Sequence, residues 1–292
     1  MQTSNFKHYI HLHFLVFIAG FTAILGELIS VSSISLVWHR MLIASVLTLI
    51  YLIASKTKIS IDFKTLLKFS LPGLIIALHW ITFFEAIEQS NISITLAMFS
   101  TAAFFTSFIE PLFFRRRIIY YEIVMGLLVI TGVYLITMAE ILYLNGIILG
   151  IFSALFSSLF SVFNGKLVKK YSPITISFYE FLTGVIFITS YLLITKSFSS
   201  VYIENIFSLD YFYLFILGSV CTAYAFIAAV SLMKYLTPFT VVLTYNLEPV
   251  YGIVLAILLF PNQEKMSFMF YLGAILILAT IIINSFIKYR KN

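Results

Sequence analysis

Charge is what this 292-residue chain has least of. Only 10% of its residues are Asp, Glu, Lys or Arg, whereas 61% are hydrophobic and the mean hydropathy is +1.06. A soluble domain carries about 25% charged residues, so a water-facing surface cannot be built from this composition. Cysteine is almost missing as well. Cys221 stands alone, which excludes an intrachain disulfide and a cysteine-based metal cluster. The chain also lacks a His-Glu-x-x-His pair, a Gly-x-Ser-x-Gly elbow and a Gly-x-x-x-x-Gly-Lys loop, so metalloprotease, hydrolase and P-loop chemistry have no residues to work with.

What is present is a series of long, continuous apolar runs. A spanning helix needs roughly 20 apolar residues, whereas a transmembrane barrel needs short alternating segments, which are not found. The chain therefore reads as an all-α integral membrane protein, multi-pass in a plasma or bacterial inner membrane. Hydropathy predicts ten transmembrane helices, numbered 1 to 10, near 9–30, 33–54, 65–88, 91–114, 118–139, 145–168, 174–195, 210–233, 238–260 and 267–287. The first run continues as a full span with no evident cleavage site for a signal peptide. The longest connection, from Lys196 to Leu209, is too short to form a domain, so any activity has to reside in the bundle.

The basic residues sort by side. With the N-terminus placed in the cytoplasm, 15 of the 18 Lys and Arg fall on the cytoplasmic side, among them Lys56, Lys58, Arg115, Arg116, Arg117, Lys169 and Lys170. Lys196 and Lys265 fall outside, and Arg40 lies within helix 2. This asymmetry predicts both termini in the cytoplasm. It also accounts for the net charge of +6 through the anionic inner leaflet, so the expected partner is a lipid bilayer and not a nucleic acid.

Two segments repeat. Phe84-Glu85-Ala86-Ile87 leads into Ser93-Ile94-Thr95-Leu96 much as Ala229-Val230-Ser231-Leu232 leads into Pro238-Phe239-Thr240-Val241. Likewise, Trp38-His39-Arg40-Met41-Leu42 in helix 2 sets beside Phe178-Tyr179-Glu180-Phe181-Leu182 in helix 7. Units of five helices, 1–140 and 141–292, must face opposite ways because five is odd. Inverted repeats of this kind belong to secondary transporters that bind substrate near the midplane.

Together with Leu36-Val37-Trp38-His39-Arg40, Ala77-Leu78-His79-Trp80-Ile81, Phe99-Ser100-Thr101-Ala102-Ala103 and Leu247-Glu248-Pro249-Val250, this frame resembles the EamA-type, ten-helix branch of the drug/metabolite transporter superfamily. The resemblance covers nearly the whole chain. It implies a basket in which helices 1–4 and 6–9 surround a cavity, with helices 5 and 10 peripheral. It also implies export or exchange of small metabolites, with no cofactor and no enzymatic activity. Two departures stand out. Ala103 replaces a proline often found in helix 4, with Pro111 two turns later, so the expected kink is shifted or absent. Arg115-Arg116-Arg117 replaces a Gly-Glu loop after helix 4.

Ionisable groups inside a span are costly and need an account. Glu248 lies ten residues beyond Pro238, about 15 Å along helix 9 and close to the midplane, next to Pro249. With Tyr245 and Asn246 it forms a candidate substrate-binding or proton-coupling group, or else a carboxyl tying helix 9 to its neighbour. His79, with Trp80 and Phe83 on adjoining faces of helix 3, either binds substrate or carries a proton, or is satisfied by a neighbouring helix. Arg40 shares its depth with Glu85 and Glu88, which predicts a structural ion pair, or else an outer gate or a contact for an anionic substrate group. Glu180 is its counterpart in the inverted half, within range of Lys166 or Lys169. Glu110 is expected at the interface. His11 and His13 are two residues apart, so they diverge on a helix and make poor metal ligands; no metal site is expected. Inward-facing aromatics among the 31 Phe and 18 Tyr favour apolar or aromatic zwitterions over phosphorylated sugars. The expected function is alternating-access transport of small organic metabolites, such as amino acids or aromatic, drug-like solutes. The rivals are a channel, a substrate-sensing membrane module, or an intramembrane enzyme of unfamiliar chemistry.

Overall fold

The computed structural model describes residues 2–57, 59–115, 120–203 and 207–291. Lys58, Arg116 and Arg117 of the basic set lie outside the described residues. All regular elements among the described residues are helical. Helix 1 spans Gln2–Leu28, helix 2 Ser33–Ala54, helix 3 Phe63–Gln89, helix 5 Tyr120–Ala139, helix 6 Leu144–Leu167, helix 7 Pro173–Ile194 and helix 10 Phe268–Lys291. Helices 4, 8 and 9 are interrupted. Helix 4 consists of Ile92–Phe99 and Ala102–Phe114, and helix 9 of Pro238–Tyr245 and Glu248–Leu259. Helix 8, Leu209–Leu232, widens into a π-helical turn over Ser219–Tyr224.

Eight of these helices, 1–4 and 6–9, are long and apolar enough to cross a membrane. Helices 5 and 10 contribute shorter apolar stretches, Val124–Ala139 and Phe268–Thr280, and pack chiefly on each other at the periphery. The other eight form the basket: helix 3 packs on 6 and 7, helix 2 on 7 and 8, helix 1 on 8 and 9, and helix 4 on 6 and 9. Their outward faces expose large apolar side chains such as Ile53, Ile194, Phe215 and Leu258, which need lipid as solvent.

Local signals mark the helix ends. The Asn91 side chain accepts from the Ile94 amide, Ser208 from Tyr211 and Thr237 from Thr240, each supplying an N-terminal cap, and Pro173 and Pro238 occupy first-turn positions where no amide hydrogen is needed. Helices 2 and 7 are both 22 residues long and close in the same way. Lys56 and Lys196 take left-handed conformations, with φ of 51° and 55°. The Thr57 amide then donates to the Leu52 carbonyl and the Ser197 amide to that of Leu192. One helix-ending motif thus recurs at matching places in the two halves.

The break in helix 4 corrects the expectation drawn from its missing proline. It falls at Ser100 and Thr101, level with the break at Asn246 and Leu247 in helix 9. No proline is needed because hydroxyls serve instead. Ser100 Oγ donates to the Leu96 carbonyl and Thr101 Oγ1 to that of Met98, while Ser158 Oγ on helix 6 donates to the Ala102 carbonyl at 2.6 Å.

Charge divides the bundle into two ends. Lys56, Lys64, Lys68, Arg115, Lys169 and Lys170 lie at helix ends on the basic side, and Glu27, Glu85, Glu88, Glu140, Asp210 and Glu264 at those on the acidic side. At the acidic end, loops are tied by carboxylates: Asp210 accepts from the Ser30 amide and Glu140 from the Ser267 amide.

Candidate substrate site

A cavity of about 110 Å³ lies at the centre of the basket. Helix 3 contributes His79, Trp80 and Phe83, which succeed one another within little more than a turn. Tyr245, Asn246 and Glu248 arrive from the break in helix 9, and Arg40 from helix 2. Seven of the residues singled out in the sequence therefore meet around one cavity, although their helices are distant in the chain.

Arg40 is 3% exposed, and it is not paired with Glu85 or Glu88 as expected. Its Nε donates to Thr222 Oγ1 and its Nη2 to the Cys221 carbonyl at 3.4 Å. The π-helical turn of helix 8 makes this possible, because Thr222 Oγ1 bonds back five residues to the Leu217 carbonyl and the widened backbone presents its polar groups to helix 2. The guanidinium also lies 4.1 Å from the centre of the Trp80 ring. Nη1 has no hydrogen-bond partner. Arg40 and Glu248 interact electrostatically without a direct hydrogen bond or ion pair. Depth along a helix had suggested Glu85, but depth does not fix rotation. Glu85 instead accepts from the Ser33 hydroxyl and from Gln89 Nε2.

His79 Nδ1 lies 3.0 Å from the Ser153 carbonyl. A carbonyl can only accept, so Nδ1 carries the hydrogen and Nε2 remains as the second polar atom of the ring. The ring stacks on Phe99 at 5.4 Å and tilts against Phe160 at the same distance. Trp80 and Phe226 meet edge to face at 6.0 Å across the two halves. The cavity is thus an aromatic box with few polar atoms. Asn246 Nδ2, like Arg40 Nη1, is buried there without a partner.

Glu180 stands elsewhere. It is fully buried, outside the cavity lining, and accepts from Asn164 Nδ2 at 3.3 Å. The expected pairing with Lys166 or Lys169 is not made. Those ammonium groups lie over Phe113 and Phe114, at 4.9 and 4.8 Å. Glu110, expected at the interface, is buried.

Sequence reasoning missed Thr22, Ser161, Phe226 and Cys221, which also line the cavity. Of the Ser157-Ser158 pair, Ser157 faces the cavity and Ser158 ties helix 6 to helix 4. Toward the basic side the lining extends to Met233, at the end of helix 8. Toward the acidic side Phe83 faces the cavity, while Phe84 faces a separate vestibule of about 460 Å³ lined by Glu27, Glu88 and Glu264. An aromatic layer divides the two.

Comparison with known proteins accords with this architecture. The EamA-like transporter family matches residues 8–138 and again 144–286. The chain belongs to the EamA-like transporter family. It is a multi-pass membrane transporter and not an enzyme. No curated protein matches it. A solved structure described only as a crystal structure of a protein aligns with 96% of this chain and 98% of its own, at TM-score 0.70 and 12% identity, a likeness of fold alone.

Proposed function

We propose that this EamA-like transporter exchanges or exports small amphipathic metabolites carrying a carboxylate and an apolar or aromatic body, with aromatic amino acids as the best-fitting class. One observation carries the reading: Arg40 Nη1 and Asn246 Nδ2 are unpartnered hydrogen-bond donors in an otherwise aromatic cavity. A buried donor left unmade costs about 1–3 kcal/mol, so a carboxylate accepting from both recovers that cost on binding. Glu248, within the electrostatic reach of Arg40, supplies an opposite pole for an ammonium group. The rings of Trp80, Phe99, Phe160 and Phe226 suit the solute's apolar body. Transport then proceeds by alternating access between the halves, with the breaks in helices 4 and 9 as pivots. The cytoplasmic placement of the basic end comes from charge asymmetry, and it makes this cavity one that loads from the cytoplasm.

The test is a flux panel in proteoliposomes using phenylalanine, phenethylamine and phenylpropionate. Phenylalanine should move fastest. Phenethylamine, without the carboxylate, should lose most flux, and phenylpropionate should lose less. Equal flux of phenethylamine and phenylalanine would remove the carboxylate contact from the account.

A further inference from the structure

Glu180, like Glu85, is a candidate that the substrate cavity does not use, and its surroundings are unusual. It is 0% exposed, its Oε1 has no partner, and the Oδ1 of its neighbour Asn164, also 0% exposed, has none either. One turn earlier on the same helix, the Ser177 hydroxyl is buried and unpartnered too. No described charged group compensates it. Of the helices packed against helix 7, helix 3 carries Lys64 and Lys68 exposed at its basic end, His79 bonded to Ser153, and Glu85 and Glu88 at its acidic end. Helix 2 carries His39, bonded to the Ser35 carbonyl, and Arg40, held by helix 8. Helix 6 carries Lys166 over a phenyl ring, and helix 8 carries Asp210 and Lys234 at its two ends.

The position of Glu180 gives this cluster a meaning. Arg40 is seven residues into helix 2 from Ser33, and Glu180 is seven residues into helix 7 from Pro173. Their backbones meet equivalent glycines. A Cβ at Gly218 on helix 8 would stand 3.2 Å from the Arg40 carbonyl oxygen, and one at Gly73 on helix 3 would stand 2.7 Å from that of Glu180. The two residues are repeat mates in the same crossing. In this structure Arg40 faces the cavity and Glu180 is shut away. When inverted halves exchange conformations, each residue takes up the setting of its mate.

The chemistry of the buried pair fits one proton. As drawn, the Asn164 amide donates to a carboxylate. With the amide turned over, Oδ1 accepts from a carboxylic acid instead, and the two orientations are indistinguishable in shape. Two carboxyl oxygens and one amide oxygen are too few for a sodium ion, and the site has no cavity.

We infer that Glu180 and Asn164 form a one-proton site, filled while the substrate cavity reaches the basic end and emptied when the halves exchange and Glu180 enters the cavity. The carboxylate takes its proton from the aqueous phase facing the acidic end, and the same proton returns there when the site reopens. The inference rests on the alternating-access reading above.

Cys221 provides the test, since it is the chain's single cysteine and lines the cavity. The full chain, in lipid nanodiscs, is labelled with a hydrophilic maleimide across a range of pH. Glu180→Gln mimics the filled site permanently. Thiols themselves react faster as pH rises, so the readout is the ratio of the wild-type rate to the Glu180→Gln rate. That ratio should be near one at low pH and change several-fold as pH rises and the wild-type site empties. A ratio constant with pH overturns the inference. If Glu180→Gln fails to assemble, Asn164→Ala, which removes the acceptor for the carboxylic acid in the filled site, should shift the labelling response to lower pH; an unshifted response overturns the inference equally. Counterflow by the wild type tests the transport reading separately, so failure of one is distinguishable from failure of the other.

Discussion

Arg40 illustrates what a single residue does here and how it is held. A guanidinium in a membrane interior persists only where it is hydrogen-bonded or paired, and the π-helical turn of helix 8 supplies Thr222 Oγ1 and the Cys221 carbonyl as acceptors. Lysine does not reproduce this setting, because an ammonium lacks the planar face that lies on Trp80 and has one nitrogen where Arg40 donates from Nε to Thr222 and from Nη2 to Cys221. Arg40→Lys should raise the KM for phenylalanine about ten- to a hundredfold, the equivalent of one charge-assisted hydrogen bond of about 1.5–3 kcal/mol, with the protein still folded in the membrane. Unchanged KM in a flux assay would show that Arg40 is only structural. Glu248→Gln should abolish substrate-dependent flux while leaving membrane insertion intact; flux unchanged across the pH range would exclude the carboxyl. Much of this cavity was legible beforehand, since polar side chains at mid-bilayer depth are rare enough to select His79, Asn246 and Glu248 individually. Partners were not legible. Depth placed Arg40 beside Glu85, but the rotation of helix 2 turned it toward helix 8.

At the scale of elements, the two ends of the bundle are closed differently. Glu264, in the loop after helix 9, is 3% exposed, and its two carboxylate oxygens accept from the Ile92 and Ser93 amides at 3.0 and 2.9 Å. It therefore caps the first turn of helix 4 from the opposite half, where the helix dipole favours an anion. The matching helix start in the second half, at Pro238, is capped only by its own Thr237 among the described contacts. In the first half, the corresponding loop begins with Arg115, a charge of the wrong sign for a helix N-terminus. A clasp of this kind would hold the acidic end shut, while the cavity lining extends to Met233 toward the basic end. Glu264→Ala should destabilise the fold by about 1 kcal/mol, the usual value of a lost cap, and raise Cys221 labelling from the acidic side in oriented vesicles. Unaltered labelling and melting would mean that the clasp does not restrain the gate. The break in helix 4 could not be read in advance because it uses serine and threonine hydroxyls in place of a proline, and the same back-bonds are made by Thr48, Ser70 and Thr82 in helices 2 and 3, which are uninterrupted.

Over the whole molecule, the repeat is recorded in particulars that no single motif displays. Helices 2 and 7 end on the same left-handed turn, helices 4 and 9 break at the same depth, and Trp80 meets Phe226 across the axis. The apolar periodicity made the helical bundle plain from the start, and the pairing of helices 5 and 10 outside the basket follows the family resemblance. What hydropathy could not supply was the sign pattern in space: a basic end, an acidic vestibule and an aromatic layer between the vestibule and the central cavity. Such an arrangement works as a carrier only if the cavity is open to one side at a time. Counterflow measures that property most directly. Proteoliposomes preloaded with unlabelled phenylalanine should take up external labelled phenylalanine faster than empty ones, and transiently above equilibrium. Equal uptake by loaded and empty vesicles, as a simple pore gives, would contradict alternating access.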